Sequence, residues 1–322
     1  MADEDGTVRL GAKAVPAPAN ISEAARAALA MPRPSGGSYP DPADKDAWRR
    51  LIASRDRAGA AAREAFAPRL RADVVARTMG GAPVYVATPR GERLLSDHHV
   101  VFDIHGGGLI FGGGEANVRF EAAAIALRAG RVCYAVDYRV APDHPYPAAL
   151  DDCLAAYKAL LAEIPPERIV VAGTSAGGNL AAALLLRARN EGLPMPAGAI
   201  LLTPELDLTE SGDSFDTLMG LDVVLTSRLM AVNLVYADGA DLKDPYISPL
   251  FGDVAGWPPT LLQAGTRDIF LSNAAIMHRK LRRAGVRAEL HVFEGMPHGG
   301  FNGVTPEDRE VNLEMQAFIG SL

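Results

Sequence analysis

The stretch Ile169-Val170-Val171-Ala172-Gly173-Thr174-Ser175-Ala176-Gly177 joins a short apolar run to a serine flanked by glycines. Ala181 to Arg189 follows, rich in Ala and Leu and therefore helix-favouring. A strand, a sharp turn and a helix in that order project a serine hydroxyl at the end of a sheet, because the glycines let the turn close without side-chain collision. A second motif, His105-Gly106-Gly107-Gly108, also follows a strand-like run, Val100 to Ile104. Its glycines leave backbone N–H groups bare, suited to hydrogen-bonding the negative oxygen that forms when a carbonyl is attacked. Either motif alone also reads as a turn in a glycine-rich chain. Together they describe an ester-cleaving site, one supplying a nucleophile and the other an anion hole.

Outward from these motifs, strand and helix signals alternate from Val84 onward. The predicted strands are Val84 to Thr88, Val100 to Ile104, Val132 to Val136, Ile169 to Ala172, Ala199 to Leu202, Thr260 to Ala264 and Glu289 to Phe293. Such alternation predicts an α/β fold, a mostly parallel sheet flanked by helices. The last helix is marked by Thr305 as cap, Pro306 at its first position and an apolar stripe of Val311, Met315, Phe318, Ile319 and Leu322. Another runs from about Ser272 to Ala284 and stops at Gly285.

Residues 1–75 differ, being rich in Ala, Arg and Pro with no strand signal. Ser22 caps a helix through Ala30, residues 32–42 form a loop, and Trp48, Leu51 and Ile52 share one face of a second helix. The expected division is a helical cap segment at 1–75 and a catalytic domain at 76–322. Residues 205–249, with a helix at Thr226 to Tyr236, interrupt the alternation and contribute to the cap, since insertions after a strand's C-terminal end overhang the crevice of an open sheet. Trp48, Leu51, Ile52 and Phe66 need something to pack on, and Phe215, Leu218, Met219 and Leu221 are expected to line an apolar acyl or alcohol pocket.

Composition sets the outer limits. A hydrophobic share of 48% and a charged share of 22% are those of an ordinary globular enzyme. No apolar stretch reaches the ~18 residues that a membrane span needs. The net charge of −7 argues against a nucleic-acid partner. Only Cys133 and Cys153 occur, so neither a disulfide framework nor a zinc site is expected, and the adjacent His98-His99 pair lacks the i, i+4 spacing of a metal-binding helix. The acidic start Met1-Ala2-Asp3-Glu4-Asp5 carries no secretory pattern, which places the chain in the cytoplasm as an expectation. Oligomeric state is not written in the sequence, and a homodimer is left open.

A serine hydroxyl is a weak nucleophile until a base takes its proton, and that base must be held in one tautomer by an acid. Asp268, just beyond the strand ending Gln263-Ala264-Gly265, and His298, in the turn-rich segment after Phe293, stand in the chain order Ser, Asp, His that this strand-turn-helix serine requires. Asp253, Asp244, His278 and His291 are weaker rivals, falling before a strand, in the insertion, in a helix and in a strand. Asp268 also reads as an ion pair with Arg267 or a turn cap, and His298 as a loop histidine.

From Ala82 to Leu322 the chain resembles the bacterial hormone-sensitive-lipase-like esterases of the α/β-hydrolase superfamily. Besides the two glycine motifs, Asp137-Tyr138-Arg139-Val140-Ala141-Pro142-Asp143-His144-Pro145-Tyr146-Pro147-Ala148-Ala149-Leu150-Asp151-Asp152 is similar to that family's Tyr-Arg-Leu-Ala-Pro-Glu-His-Pro-Tyr-Pro-Ala block, and Gly-Thr-Ser-Ala-Gly marks one branch. The resemblance implies Ser175 as nucleophile, Asp268 as orienting acid and His298 as base, with Gly107, Gly108 and Ala176 forming the oxyanion hole. It makes Gly106 structural and gives His105 the task of holding the glycine loop. Two departures stand out: Ile269-Phe270-Leu271-Ser272 replaces a Pro-Leu-x-Asp type of sequence, and Gly112-Gly113-Gly114 is unusually glycine-rich. The implied activity is that of a serine carboxylesterase acting without cofactor or metal on small, fairly hydrophobic esters with short to medium acyl chains. Hydrolysis of lactones by the same triad is the alternative within the enzyme class, and a non-catalytic ligand receptor on the same fold the alternative outside it.

Overall fold

The structure is a computed structural model that describes residues 7, 8, 10–31, 38–91, 95 and 98–322. The acidic start at 1–5 falls outside the described residues, and the expected 32–42 loop falls partly outside them. Eight strands form one sheet: β1 (Ala72–Met79), β2 (Ala82–Pro89), β3 (Val100–Ile104), β4 (Val132–Val136), β5 (Ile169–Thr174), β6 (Gly198–Leu202), β7 (Thr260–Gly265) and β8 (Ala288–Phe293). Their order is β1-β2-β4-β3-β5-β6-β7-β8. The β1/β2 and β2/β4 pairs are antiparallel and the others parallel.

Parallel strands covered on both faces are apolar throughout, and successive side chains alternate between the faces. Phe102, Val171, Leu201 and Leu262 pack on one side against α4 (Ala148–Leu161), α5 (Ala176–Asn190) and α8 (Leu271–Arg283). Their neighbours Val101, Val170, Ile200 and Leu261 face the opposite layer, which contains α1 (Glu23–Leu29), α3 (Glu115–Ala129) and α9 (Pro306–Gly320). The α9 start is a capping box, with Thr305 and Asp308 each satisfying the other's backbone N–H. Register aligns Ile104 of β3 with Gly173 of β5, and Gly265 of β7 with Phe293 of β8. The loops leaving β3, β5, β7 and β8 therefore emerge along one edge of the sheet.

A third apolar cluster lies at that edge. Trp48 of α2 (Lys45–Phe66) meets Phe215 of α6 (Ser214–Thr217), Val232 and Val235 of α7 (Met230–Ala237), and Ile269 and Phe270 after β7. Leu51 and Ile52 are partly buried against it.

Four sequence expectations need correction. The first 75 residues are not strand-free, because β1 starts at Ala72; it is an edge strand, largely exposed, and so lacks the apolar run that marks a buried strand. The insertion's helix begins at Met230 and not at Thr226, because the Leu229 N–H is taken by the Glu210 carboxylate at 2.6 Å. Phe66 is 43% exposed under the Arg69 guanidinium and does not join the cluster. Finally, α1 packs against α9, with Ser22 donating from N and Oγ to Glu307, and contributes no side chain to the third cluster.

Leu184→Ala, in the fully buried face of α5, is expected to cost about 2–5 kcal/mol in urea unfolding. Leu313→Ala, at a position 55% exposed on α9, should shift stability by less than about 0.5 kcal/mol. Equal losses at the two positions would contradict the layer assignment.

Candidate active site

Ser175 is held with φ 59° and ψ −122°, a left-handed conformation that is costly for a residue bearing Cβ. What holds it there is close packing. A Cβ on Gly177 would sit 1.9 Å from the Ile104 carbonyl oxygen, so the first turn of α5 presses directly on the end of β3. The Ser175 N–H donates to Leu202 O at 2.8 Å, while Asn179 Nδ2 donates to both Glu205 O and Ile247 O at 2.8 Å. Ala176 is the first residue of α5, so its N–H has no acceptor within the helix.

The glycine loop is braced as firmly. Gly107 has φ +122°, and a Cβ there would lie 2.1 Å from Phe111 O; the Phe111 N–H in turn donates to Gly107 O at 2.8 Å. The His105 ring stacks on Tyr138 at 4.1 Å, the Tyr138 hydroxyl donates to His105 O at 2.8 Å, and Nδ1 of His105 donates to Gly106 O at 2.8 Å. Burial pushes the His105 pKa down to about 4, leaving a neutral ring that anchors the loop. Downstream, the Gly114 N–H donates to Asp137 Oδ1, and Arg139 forms an ion pair with Asp152. The proline-rich block thus clamps the glycine loop to α4.

His298 Nε2 lies 2.8 Å from Ser175 Oγ, and its Nδ1 lies 3.1 Å from Asp268 Oδ1. The same Asp268 oxygen accepts the Phe270 N–H at 2.9 Å, and the Phe270 ring stands edge-on to the imidazole at 4.9 Å. This is where the Ile269-Phe270 departure falls: the aromatic ring seals the histidine on the side facing the third cluster. The sequence gives no warning of Asp222, whose Oδ2 accepts the His298 backbone N–H at 3.3 Å while Oδ1 accepts from Val224 and Leu225. Nor does it single out Glu205, fully buried directly after β6, with an N–H that donates to Ser175 O at 3.2 Å. Burial, then repulsion from Glu210, pushes the Glu205 pKa up to about 8, so the group is largely uncharged at neutral pH.

Burial by itself would lower the His298 pKa. The charge and hydrogen bond of Asp268, aided by the charge of Asp222, outweigh it and raise the pKa above the ordinary 6.5.

A cavity of about 690 Å³ opens at Ser175 and His298. Gly106, Gly107 and Gly108 form its rim, with Leu225, Leu229 and Val232 on one side. None of Phe215, Leu218, Met219 and Leu221, the predicted lining, faces it. Phe215 is fully buried against Phe270, and Leu218 and Met219 pack on the same cluster. The cluster beneath the histidine takes these side chains, and the cavity wall passes to the residues that follow Asp222. Among the described residues no three His, Cys, Asp or Glu side chains group as a metal site, and no helix is long and apolar enough to cross a membrane.

Residues 101–302 match a family model described as alpha/beta hydrolase fold. An esterase of Acinetobacter venetianus is 34% identical over 248 residues, 74% of this chain and 82% of that protein. The solved structure of an esterase designated E25 superimposes with a TM-score of 0.89 at 33% identity, covering 97% of this chain and 98% of that one. An esterase from the bacterial hormone-sensitive lipase family gives a TM-score of 0.73 at 30% identity, with 92% and 95% covered.

For a neutral His298 acting as the expected acceptor of the serine proton, kcat/KM should rise with pH through a limb above 6.5 and then level off. Asp268→Asn should move that limb down and lower kcat by about 10⁴. A limb unmoved by Asp268→Asn would separate the carboxylate from the titrating imidazole.

Proposed function

We infer the chemistry from the family to which the chain belongs, the bacterial hormone-sensitive lipase esterases of the alpha/beta hydrolase fold: the protein is a serine carboxylesterase. In the proposed mechanism Ser175 is the nucleophile, His298 the general base and Asp268 the acid that fixes its tautomer. The observation that carries these assignments is the unbroken run from buried Asp268 through His298 to Ser175 Oγ at the floor of the cavity. His298 takes the Ser175 proton as Oγ attacks the ester carbonyl. The N–H groups of Gly107, Gly108 and Ala176 then hydrogen-bond the negative oxygen of the tetrahedral intermediate. The imidazolium returns its proton to the departing alcohol, and the same histidine activates the water that releases the acid from Ser175.

We assign α2 and residues 205–249 to the cap, because Trp48, Val232 and Val235 share the cluster beside the cavity. The cavity volume fits short to medium acyl chains. The relatives above are esterases, and the lactone reading finds no support among them. A homodimer is the assembly we propose, since the sheet ends in two strands, β1 and β8, each with one neighbour. Light scattering should return about twice the 34.0 kDa chain mass, and a single-chain mass would refute it.

Ser175→Ala should leave a folded protein whose ester hydrolysis is reduced by about 10⁶. Retained turnover would disprove the nucleophile. Leu225→Trp, which fills the cavity side wall, should lower kcat/KM for hexanoyl esters by about tenfold or more relative to acetyl esters. An unaltered acyl-length profile would show that this wall does not bound the acyl chain.

A further inference from the structure

We propose that the cavity selects esters carrying a second, anionic carboxylate group, which Arg55 and Arg63 of α2 bind while Ser175 attacks the ester. The inference rests on the Ser175 reading and adds the substrate class.

Both arginines line the same cavity as Ser175 and His298. Positions 55, 59 and 63 follow one another at four-residue spacing and so form one stripe of α2. The middle position is Gly59, and a Cβ built there would lie only 2.4 Å from Arg63 Nη1. Arg63 therefore lies back over Gly59, in the direction of Arg55, because helical side chains lean toward the N-terminus. It is steadied there by donating from Nη2 to Asp56 O at 2.9 Å. Arg55 is steadied differently. Its guanidinium carbon stands 4.5 Å from the Phe111 ring centre and 5.4 Å from that of Tyr39, both of them cavity residues. Stacking occupies the face of a guanidinium and leaves its N–H edge free for a carboxylate.

Among the described residues, neither arginine has an acidic partner, in contrast to Arg49, which pairs with Asp143, Arg77 with Glu163 and Arg139 with Asp152. One acid does line the cavity, Glu121. Burial raises its pKa, and the cation that acts on it is Arg128, not Arg55 or Arg63. Two convergent guanidinium groups without a counter-charge, one held by stacking and one by a glycine gap, form a receptor for an anion in a protein whose net charge of −7 otherwise repels one.

The test compares 4-nitrophenyl monoesters of glutaric acid with 4-nitrophenyl pentanoate, which differ at the end of the acyl chain as carboxylate against methyl. The readout is the ratio of the two kcat/KM values. Arg55→Gln and Arg63→Gln should each lower the ratio about tenfold, the scale of one lost charge-assisted interaction, and the Lys variants should restore part of it. Gly59→Ala should lower it as well, by displacing Arg63 while leaving its charge in place. For the wild type the ratio should fall as salt rises to about 0.5 M. A ratio that none of these changes moves would overturn the proposal and leave the esterase reading intact. Loss of Ser175 dependence for the pentanoate ester would instead overturn the esterase reading itself.

Discussion

The approach of the α5 N-terminus to the end of β3 is the contact on which the rest of the site depends. With a Gly177 Cβ position only 1.9 Å from Ile104 O, no side chain fits between helix and strand, and the turn into the helix carries Ser175 at φ 59°. The strained serine turn thus sits where α5 packs directly on β3. The same contact fixes the serine relative to the glycine loop, because that loop leaves β3 at the residue after Ile104. The proposed nucleophile and anion hole are spaced by one backbone contact.

A second set of constraints governs the histidine. Its backbone N–H is tied to Asp222, its Nδ1 to Asp268 and its ring edge to Phe270, groups that come from two loops far apart in sequence. A Cβ on Gly265 would fall 1.9 Å from Met296 O, so the β7 and β8 loops touch backbone to backbone at their bases. Arg267 and Gly295 extend this support to the amino-terminal segment, Arg267 by donating to Pro16 O and Gly295 by lying against Pro18. The residues before α2 thereby brace the acid and base loops from below, while α2 stands over the cavity.

Burial works in opposite directions on the titratable groups around this centre. It holds Glu205 and His105 neutral, one by raising its pKa and the other by lowering it, whereas His298 is pulled back toward its charged form by Asp268, aided by Asp222. The imidazole of His298 therefore has the Asp268 carboxylate as its main charged neighbour, while Glu205 and His105 stay uncharged near neutral pH. This arrangement limits competing charge around Ser175 Oγ.

The buried strands and the loop residues Ser175, Asp268 and His298 were legible in the sequence because local chemistry marks them. Parallel strands covered on both faces are mostly apolar, so the limits predicted for β3 and β4 coincide with those in the structure, although β3 also buries Asp103. A serine in a left-handed turn needs flanking glycines, and loops after such strands carry the remaining polar groups. Other features left no local mark. β1 is an exposed edge strand without an apolar run, and Asp222 and Glu205 owe their place to a long insertion folding back on the sheet. Phe215, Leu218 and Met219 were apolar at the right point in the chain, yet only the packing of α6 against Phe270 decided that they support the histidine and do not line the cavity. Sequence determined which residues could react and in what order the chain presents them; tertiary structure decided which apolar side chains face the substrate, because that choice depends on contacts between segments that no short stretch of sequence contains.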